Sequence, residues 1–209
     1  MRDLAIVLAE EDTNAVLSTL LTKRGPSLGI RPLDFDPAQD ITRDAAGKDS
    51  GCYLRGASLL GPRRKTHRHG LVILDEQWAG SPGWQAIEAK LSQELAQEWG
   101  DQAEVVAIAP ETEVWAFIQS EHLPKSLRWP EENGRLQTWL EERGAWPSGH
   151  AKPPDPKNAL ALLSREGGVR ITPRWFEGLA GSVGLTKCTD RAFLKFVATL
   201  RRWFPMDAG

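Results

Sequence analysis

Cysteine is nearly absent from this chain. Its only two, Cys52 and Cys188, stand far apart and form no CxxC pair, which argues against a zinc ribbon and against a disulfide framework. Tyrosine occurs once, against 9 tryptophans. No apolar run approaches the roughly 20 residues that a membrane-spanning helix needs. Neither sign of charge dominates, because 26 Lys and Arg face 28 Asp and Glu for a net charge of −2. The overall balance therefore makes no electrostatic case for nucleic-acid binding, although a local basic groove stays open. Also missing are a Gly-rich phosphate loop, a dinucleotide-binding fingerprint and a serine nucleophile elbow. Met1 leads into charged residues and a short apolar run ending at Glu10, so no signal peptide is expected and the expected localisation is cytoplasmic.

What is present is an alternating pattern. "LAIVLA" (4–9) reads as a buried strand and "DTNAVLSTLLTKR" (12–24) as an amphipathic helix, with Asp12 or Thr13 as its cap. "IRPLDF" (30–35) reads as an edge-like strand, since Pro32 lacks a donor. "CYLRGASLLGPRR" carries a weaker helical pattern, and "GLVILD" is a further strand. "WQAIEAKLSQELAQEW" (84–99) places Ile87, Leu91, Leu95 and Trp99 on one helical face. "AEVVAIA" (103–109) is a fourth strand, and "ETEVWAFIQ" (111–119) is expected to be helical. Repeated strand–helix alternation predicts an α/β fold with a mainly parallel four-stranded sheet covered on both faces. From about residue 122 prolines punctuate short helical segments and no strand pattern remains. The expected organisation is an α/β domain over 1–121 and a helical carboxyl-terminal lobe over 122–209.

In a parallel sheet, ligands bind at the carboxyl ends of the strands. Glu10 follows the first strand, Asp75 ends "GLVILD" and Glu113 follows the last strand. Converging carboxylates repel unless a cation holds them together. Magnesium suits such a site, because it takes hard oxygen ligands and keeps waters that a phosphate can replace. The competing reading is ordinary capping, since acids are favoured at helix starts.

Two stretches carry a resemblance. "LAEEDTNAVLSTLL" resembles the opening of TOPRIM-type domains, in which a strand runs into a Glu-Gly-x-x-Asp/Glu element, and "VILDEQWAGS" stands where that fold has its Asp-x-Asp element. More narrowly, "HGLVILDEQWAGSP", "PETEVW", "KPPDPK" and "CTDRAFLKFVATLRRWFP" together resemble, in the same order, a family of small bacterial proteins of methylation-associated anti-phage defence systems. The TOPRIM resemblance implies a Rossmann-like domain and a Mg²⁺- or Mn²⁺-dependent nuclease or phosphoesterase acting on DNA or RNA, while the narrower resemblance implies a context in anti-phage defence. It also implies other defence-system proteins as partners, and no membrane. Carried over by position, Glu10 matches the TOPRIM glutamate and Asp75 the first aspartate; with the strand-end acid Glu113 they are expected to hold the ion, with Gln77 and Glu111 assisting. "AKPPDPKNALALL" reads either as a rigid linker into a helix capped by Asp155 or as the source of the late lysine, Lys157 or Lys152, to which TOPRIM-like nucleases give the task of stabilising phosphate charge. The chain departs from the pattern at three places: Glu11 replaces a glycine, and Asn14 and Gln77 stand where acids are expected. Asn and Gln offer a carbonyl oxygen but no charge. The alternative is a non-catalytic subunit of a multi-protein defence complex, with a degenerate site and a Trp-rich helical binding surface.

Other features have plainer readings. "PRRKTHRH" (62–69) is a solvated basic loop or a phosphate contact, and it lies near the amino end of its strand. His67 and His69 would bind metal only with a third ligand beside them. Cys188 reads as a small buried hydrophobe. The tryptophans read as packing for the helical lobe or as partner anchors.

Overall fold

The computed structural model describes residues 1–44, 48–117, 122–185 and 188–206. Four strands form one sheet: β1 (Arg2–Leu8), β2 (Ile41–Arg43), β3 (His67–Asp75) and β4 (Ala103–Ile108). Their spatial order is β2-β1-β3-β4, and every pairing is parallel. The helices of the first half are α1 (Glu11–Lys23), the short α2 (Gly25–Leu28) and α3 (Pro37–Asp40), then α4 (Asp49–Leu60) and α5 (Trp84–Trp99). After β4 come a 3₁₀ segment over Thr112–Phe117 and the helices α6 (His122–Ser126), α7 (Leu136–Glu142), α8 (Pro156–Glu166), α9 (Pro173–Ser182) and α10 (Arg191–Trp203).

Side chains alternate across a strand, so each strand feeds two cores. Leu4, Ile6, Leu8, Leu71, Ile73, Val106 and Ile108 face α1 and the carboxyl-terminal helices, in one cluster that runs on to Phe176, Phe196 and Phe204. Ala5, Val7, Val72, Leu74, Val105 and Ala107 face the opposite way and pack with Cys52 of α4 and Ile87, Leu91, Leu95 and Trp99 of α5. Burying each large apolar side chain contributes about 1.5–3 kcal/mol, so the helical stripe read in 84–99 is what binds α5 to the sheet. The helices after residue 122 thus share a core with one face of the sheet. Gly70 in β3 permits close packing, because a Cβ there would meet Leu60 Cδ2 at 2.7 Å.

Two expected elements differ. The stretch 30–35 is no strand. Arg31 turns back to pair with Asp3 at 2.8 Å, the Asp3 N–H donates to the Asp34 carbonyl, and Ile30 makes an isolated antiparallel bridge with Pro205. The edge beside β1 is instead taken by Ile41–Arg43, too short a run to carry a pattern of its own. Second, 112–117 forms a 3₁₀ segment where a helix was expected, and Ile118 and Gln119 fall outside the described residues. The cap of α1 also moves: Glu10 occupies the N-cap position without a side-chain capping bond, and Thr13 bonds elsewhere. Asp155 and Asp190 do cap α8 and α10, accepting from Asn158 N–H and Phe193 N–H.

None of the 9 tryptophans is exposed; each is buried or half-buried. Trp115 lies edge-on to Phe193, and Trp129 edge-on to Trp139. These indoles are packing groups, and among the described residues the exposed large hydrophobics are Met1, Leu54, Leu194 and Met206 instead. Among the described residues no helix is long and apolar enough to cross a membrane.

Candidate metal centre

β3 and β4 end side by side, with Asp75 paired in register with Ile108. Beyond β4 the Pro110 carbonyl accepts both Glu76 N–H and Gln77 N–H, at 3.0 Å each, and so ties the two strand ends together. The chain then enters the tight 3₁₀ segment, and Glu111 just before it, with Thr112 and Glu113 in its first turn, comes beside Asp75. Thr112 donates its backbone N–H to Asp75 Oδ2 at 3.1 Å and its hydroxyl to Asp75 Oδ1 at 2.8 Å. The same hydroxyl lies 2.7 Å from that of Thr13 in α1, which locks the segment to the first helix.

The result is a group of three carboxylates, Asp75, Glu111 and Glu113, each offering an oxygen within 4.8 Å of the others. Only 3%, 6% and 5% of these residues is exposed, respectively. Buried carboxylates on this scale need a partner, since isolated buried charge is costly. One partner is Lys157 in the first turn of α8, whose Nζ lies 3.4 Å from Glu111 Oε2 and 3.6 Å from Glu113 Oε1. Glu113 Oε2 is buried with no hydrogen-bond partner at all. An orphaned buried oxygen in an acidic group fits a hard cation, so this group could hold a metal ion.

The electrostatics agree with that crowding. Burial, the charge of Asp49 and then that of Glu113 push the Asp75 carboxyl well above its usual range, against the two bonds from Thr112. Burial lifts Glu113 to about 7, with Lys157 opposing and Glu111 adding to the shift. Asp49, at the start of α4, accepts the Asp75 N–H at 2.9 Å. Its own burial and the nearby Glu10 raise it to about 6, against that bond. Burial and Glu10 also raise Asp12. Partial burial works against the Lys157 ammonium, but the charges of Glu113, Glu111 and Glu10 outweigh it and push its pKa up.

Of the residues expected from sequence, the fold brings Asp75, Glu111, Glu113 and Lys157 together. Glu10 is half-buried at the rim: its charge bears on Asp49, Glu113 and Lys157, but it is not one of the three grouped carboxylates. Gln77 is exposed, because the turn after β3 carries it past the pocket while its backbone is held by Pro110. Asn14 is not among the grouped ligands and is engaged within α1, accepting from Ser18 Oγ at 3.1 Å. Lys152 pairs with Asp190 at 3.2 Å instead. Asp49, Thr112 and Thr13 are site residues that sequence reasoning missed. Asp49 opens a helix and looks like any first-turn acid, and nothing local marks the two threonines.

The basic run lies at the other end of the sheet. Arg63 reaches Thr42, Arg64 stacks over Trp99 and Arg68 approaches Asp3. His67 is buried in β3 with Nε2 3.1 Å from Asp40, which Arg2 also binds, and His69 stacks on Trp203. His67 is thus held by ion pairing and His69 by ring stacking, although His69 Nδ1 is buried without a hydrogen-bond partner. Cys52 and Cys188 are buried, and burial pushes both thiols up, Cys52 to about 12. No protein-family model, curated protein or solved structure matches this chain.

Proposed function

We propose that this chain is a Mg²⁺- or Mn²⁺-dependent phosphodiesterase acting on nucleic acid, TOPRIM-like in the placement of its acids, and that it serves in bacterial anti-phage defence. The observation that carries the enzymatic part is the buried group Asp75, Glu111 and Glu113 with the orphaned Glu113 Oε2. The defence context comes from the resemblance of the sequence alone.

Asp75, Glu111 and Glu113 would hold the ion. A divalent ion so held supplies an activated water and neutralises charge that develops on a phosphoryl group. Thr112 fixes the Asp75 carboxylate by two bonds, so one ligand is oriented before the ion arrives. Lys157, more than half exposed along its side chain, supplies a flexible positive charge for phosphate oxygens. Glu10 stands at the rim and adds negative field.

The test is cleavage of single- and double-stranded DNA and RNA by the purified chain with Mn²⁺, alongside Asp75→Asn. Metal-dependent cleavage that disappears in the variant supports the reading. Cleavage that is absent, or equal in both proteins, sinks it.

A second reading is supported by Gln77, which stands where a second acid is expected and is turned out to solvent. On that reading the chain is a non-catalytic subunit that keeps a cation for structure and binds other defence proteins. Co-purification of a co-encoded protein by an inactive Asp75→Asn chain, with the same yield as by the unaltered one, favours it.

A further inference from the structure

We propose that Lys157 is a resident counter-ion of the metal centre, which a divalent cation must displace, so that this side chain sets the metal concentration at which the site loads. The inference rests on the metal-binding reading and concerns its regulation.

Three observations carry it. First, Lys157 Nζ contacts two of the three candidate ligands, at 3.4 and 3.6 Å, so the ammonium and a metal compete for Glu111 and Glu113. Both contacts are longer than a tight charge-assisted hydrogen bond, whose N–O distance is about 2.7–2.9 Å. The ammonium balances the pocket without filling it, as the unpartnered Glu113 Oε2 attests.

Second, the position goes against the local preference of its helix. Lys157 follows Pro156 in the first turn of α8, where the helix dipole disfavours a cation. Asp155 caps that turn and pins its backbone by accepting the Asn158 N–H at 2.9 Å. A lysine placed against the dipole on a fixed backbone marks a specific partner, and the acidic group is that partner.

Third, the side chain has a way out. It is 59% exposed, whereas the Glu111 and Glu113 side chains are 8% and 6% exposed. The carboxylates are buried, and the ammonium can swing into water on a flexible four-carbon stem. Displacement by a doubly charged ion therefore needs no backbone movement. Until that happens the like charge of Lys157 opposes entry of the ion.

The experiment is Mn²⁺ binding to the purified full chain, read by electron paramagnetic resonance of the free ion. It compares the unaltered protein with Lys157→Gln, Lys157→Arg and Lys152→Gln. The proposal expects Lys157→Gln to bind Mn²⁺ roughly tenfold or more tightly. Lys157→Arg keeps the charge and should gain far less. Lys152→Gln removes an equal charge from the Asp190 pair and should leave affinity nearly as it was. Tighter binding by Lys157→Gln alone supports the proposal, including the case in which only that variant binds. Equal or weaker binding by Lys157→Gln, with the unaltered chain binding normally, overturns the counter-ion role and leaves the metal reading standing. Equal gains from Lys152→Gln and Lys157→Gln also overturn it, since the effect is then one of net charge. If no protein binds Mn²⁺, the metal reading fails and this proposal with it.

Discussion

Thr112 grips Asp75 twice, through its backbone N–H at 3.1 Å and its hydroxyl at 2.8 Å, and the two residues lie 37 positions apart in the chain. The hydroxyl is shared with Thr13, so the contact joins β3, the segment after β4 and α1 at one point.

Thr112→Val keeps the shape and removes the hydroxyl. Asp75 then keeps only the backbone donor, which leaves its ionised form less supported and raises its pKa further. Leaving a buried carboxyl oxygen without its donor costs about 1–3 kcal/mol. The expected result is a loss of that order at pH 8 in denaturant melts, with weaker Mn²⁺ binding by titration calorimetry. Unchanged affinity would detach Thr112 from the site.

Glu113→Gln should separate stability from metal binding. Glu113 moves from an ordinary value of 4.5 to about 7 on folding, so at pH 8 its ionised form is held at a disadvantage. Removing the charge should stabilise the metal-free protein by about 1–3 kcal/mol at pH 8 and by much less at pH 5. Mn²⁺ affinity should collapse in the same variant. A variant that is less stable at pH 8 and binds Mn²⁺ normally contradicts this account.

The pH dependence of the metal-free protein has a definite sign. Asp75, Asp49 and Glu113 are all raised on folding, the last two to about 6 and about 7. The folded state thus keeps protons that the unfolded chain has released. Their contribution is fully present below the unfolded values, near 4, and is lost as pH rises through about 7. Asp3, hydrogen-bonded by Arg31, is shifted the other way and loses its contribution only in stronger acid, and His69, lowered by burial, gains with rising pH but is one group against three. The melting temperature of the metal-free chain should therefore fall between pH 5 and pH 8, and Mn²⁺ should restore it at pH 8. A rise over that range, in a protein stripped by chelator, would show that the acidic group is not under repulsion.

Gln77→Glu restores the acid that the Asp-x-Asp pattern expects. Because Gln77 is exposed and its backbone is tied to Pro110, the new carboxylate stays in solvent. Screening there keeps its influence small, and Mn²⁺ affinity should change by no more than about twofold. A gain of tenfold or more would place this side chain in the pocket when metal is bound.

Gly70→Ala tests the sheet instead of the site. The added methyl would sit 2.7 Å from Leu60 Cδ2 and 3.2 Å from Trp99 Cε2, wedging β3 away from α4 and α5. Overpacking of this kind costs about 1–3 kcal/mol, measurable as a shift in the urea midpoint. Adding Leu60→Ala should recover part of the loss if the clash is its cause.

Much of the fold is legible in the sequence. The periodicity in 84–99 and the apolar runs in 4–8, 71–74 and 105–108 are local signals, set by which side chains recur every two or every three to four positions. The edge strand was not legible, because Ile41–Arg43 holds its place through pairing with β1 and not through its own pattern. At the site, the sequence marks Glu10, Asp75 and Glu113 as acids at strand ends, with Glu111 and Gln77 as assisting ligands, and the resemblance adds Lys157 or Lys152 as a candidate cation. Only the tertiary structure decided that Glu10 stays at the rim, that Gln77 turns outward and that Asp49 joins from α4. It also decided that Lys157 arrives from α8, 46 positions along the chain from Glu111. Local spacing dictates helices, strands and their ends. Which ends meet depends on strand order, register and helix packing, and these are properties of the assembled core.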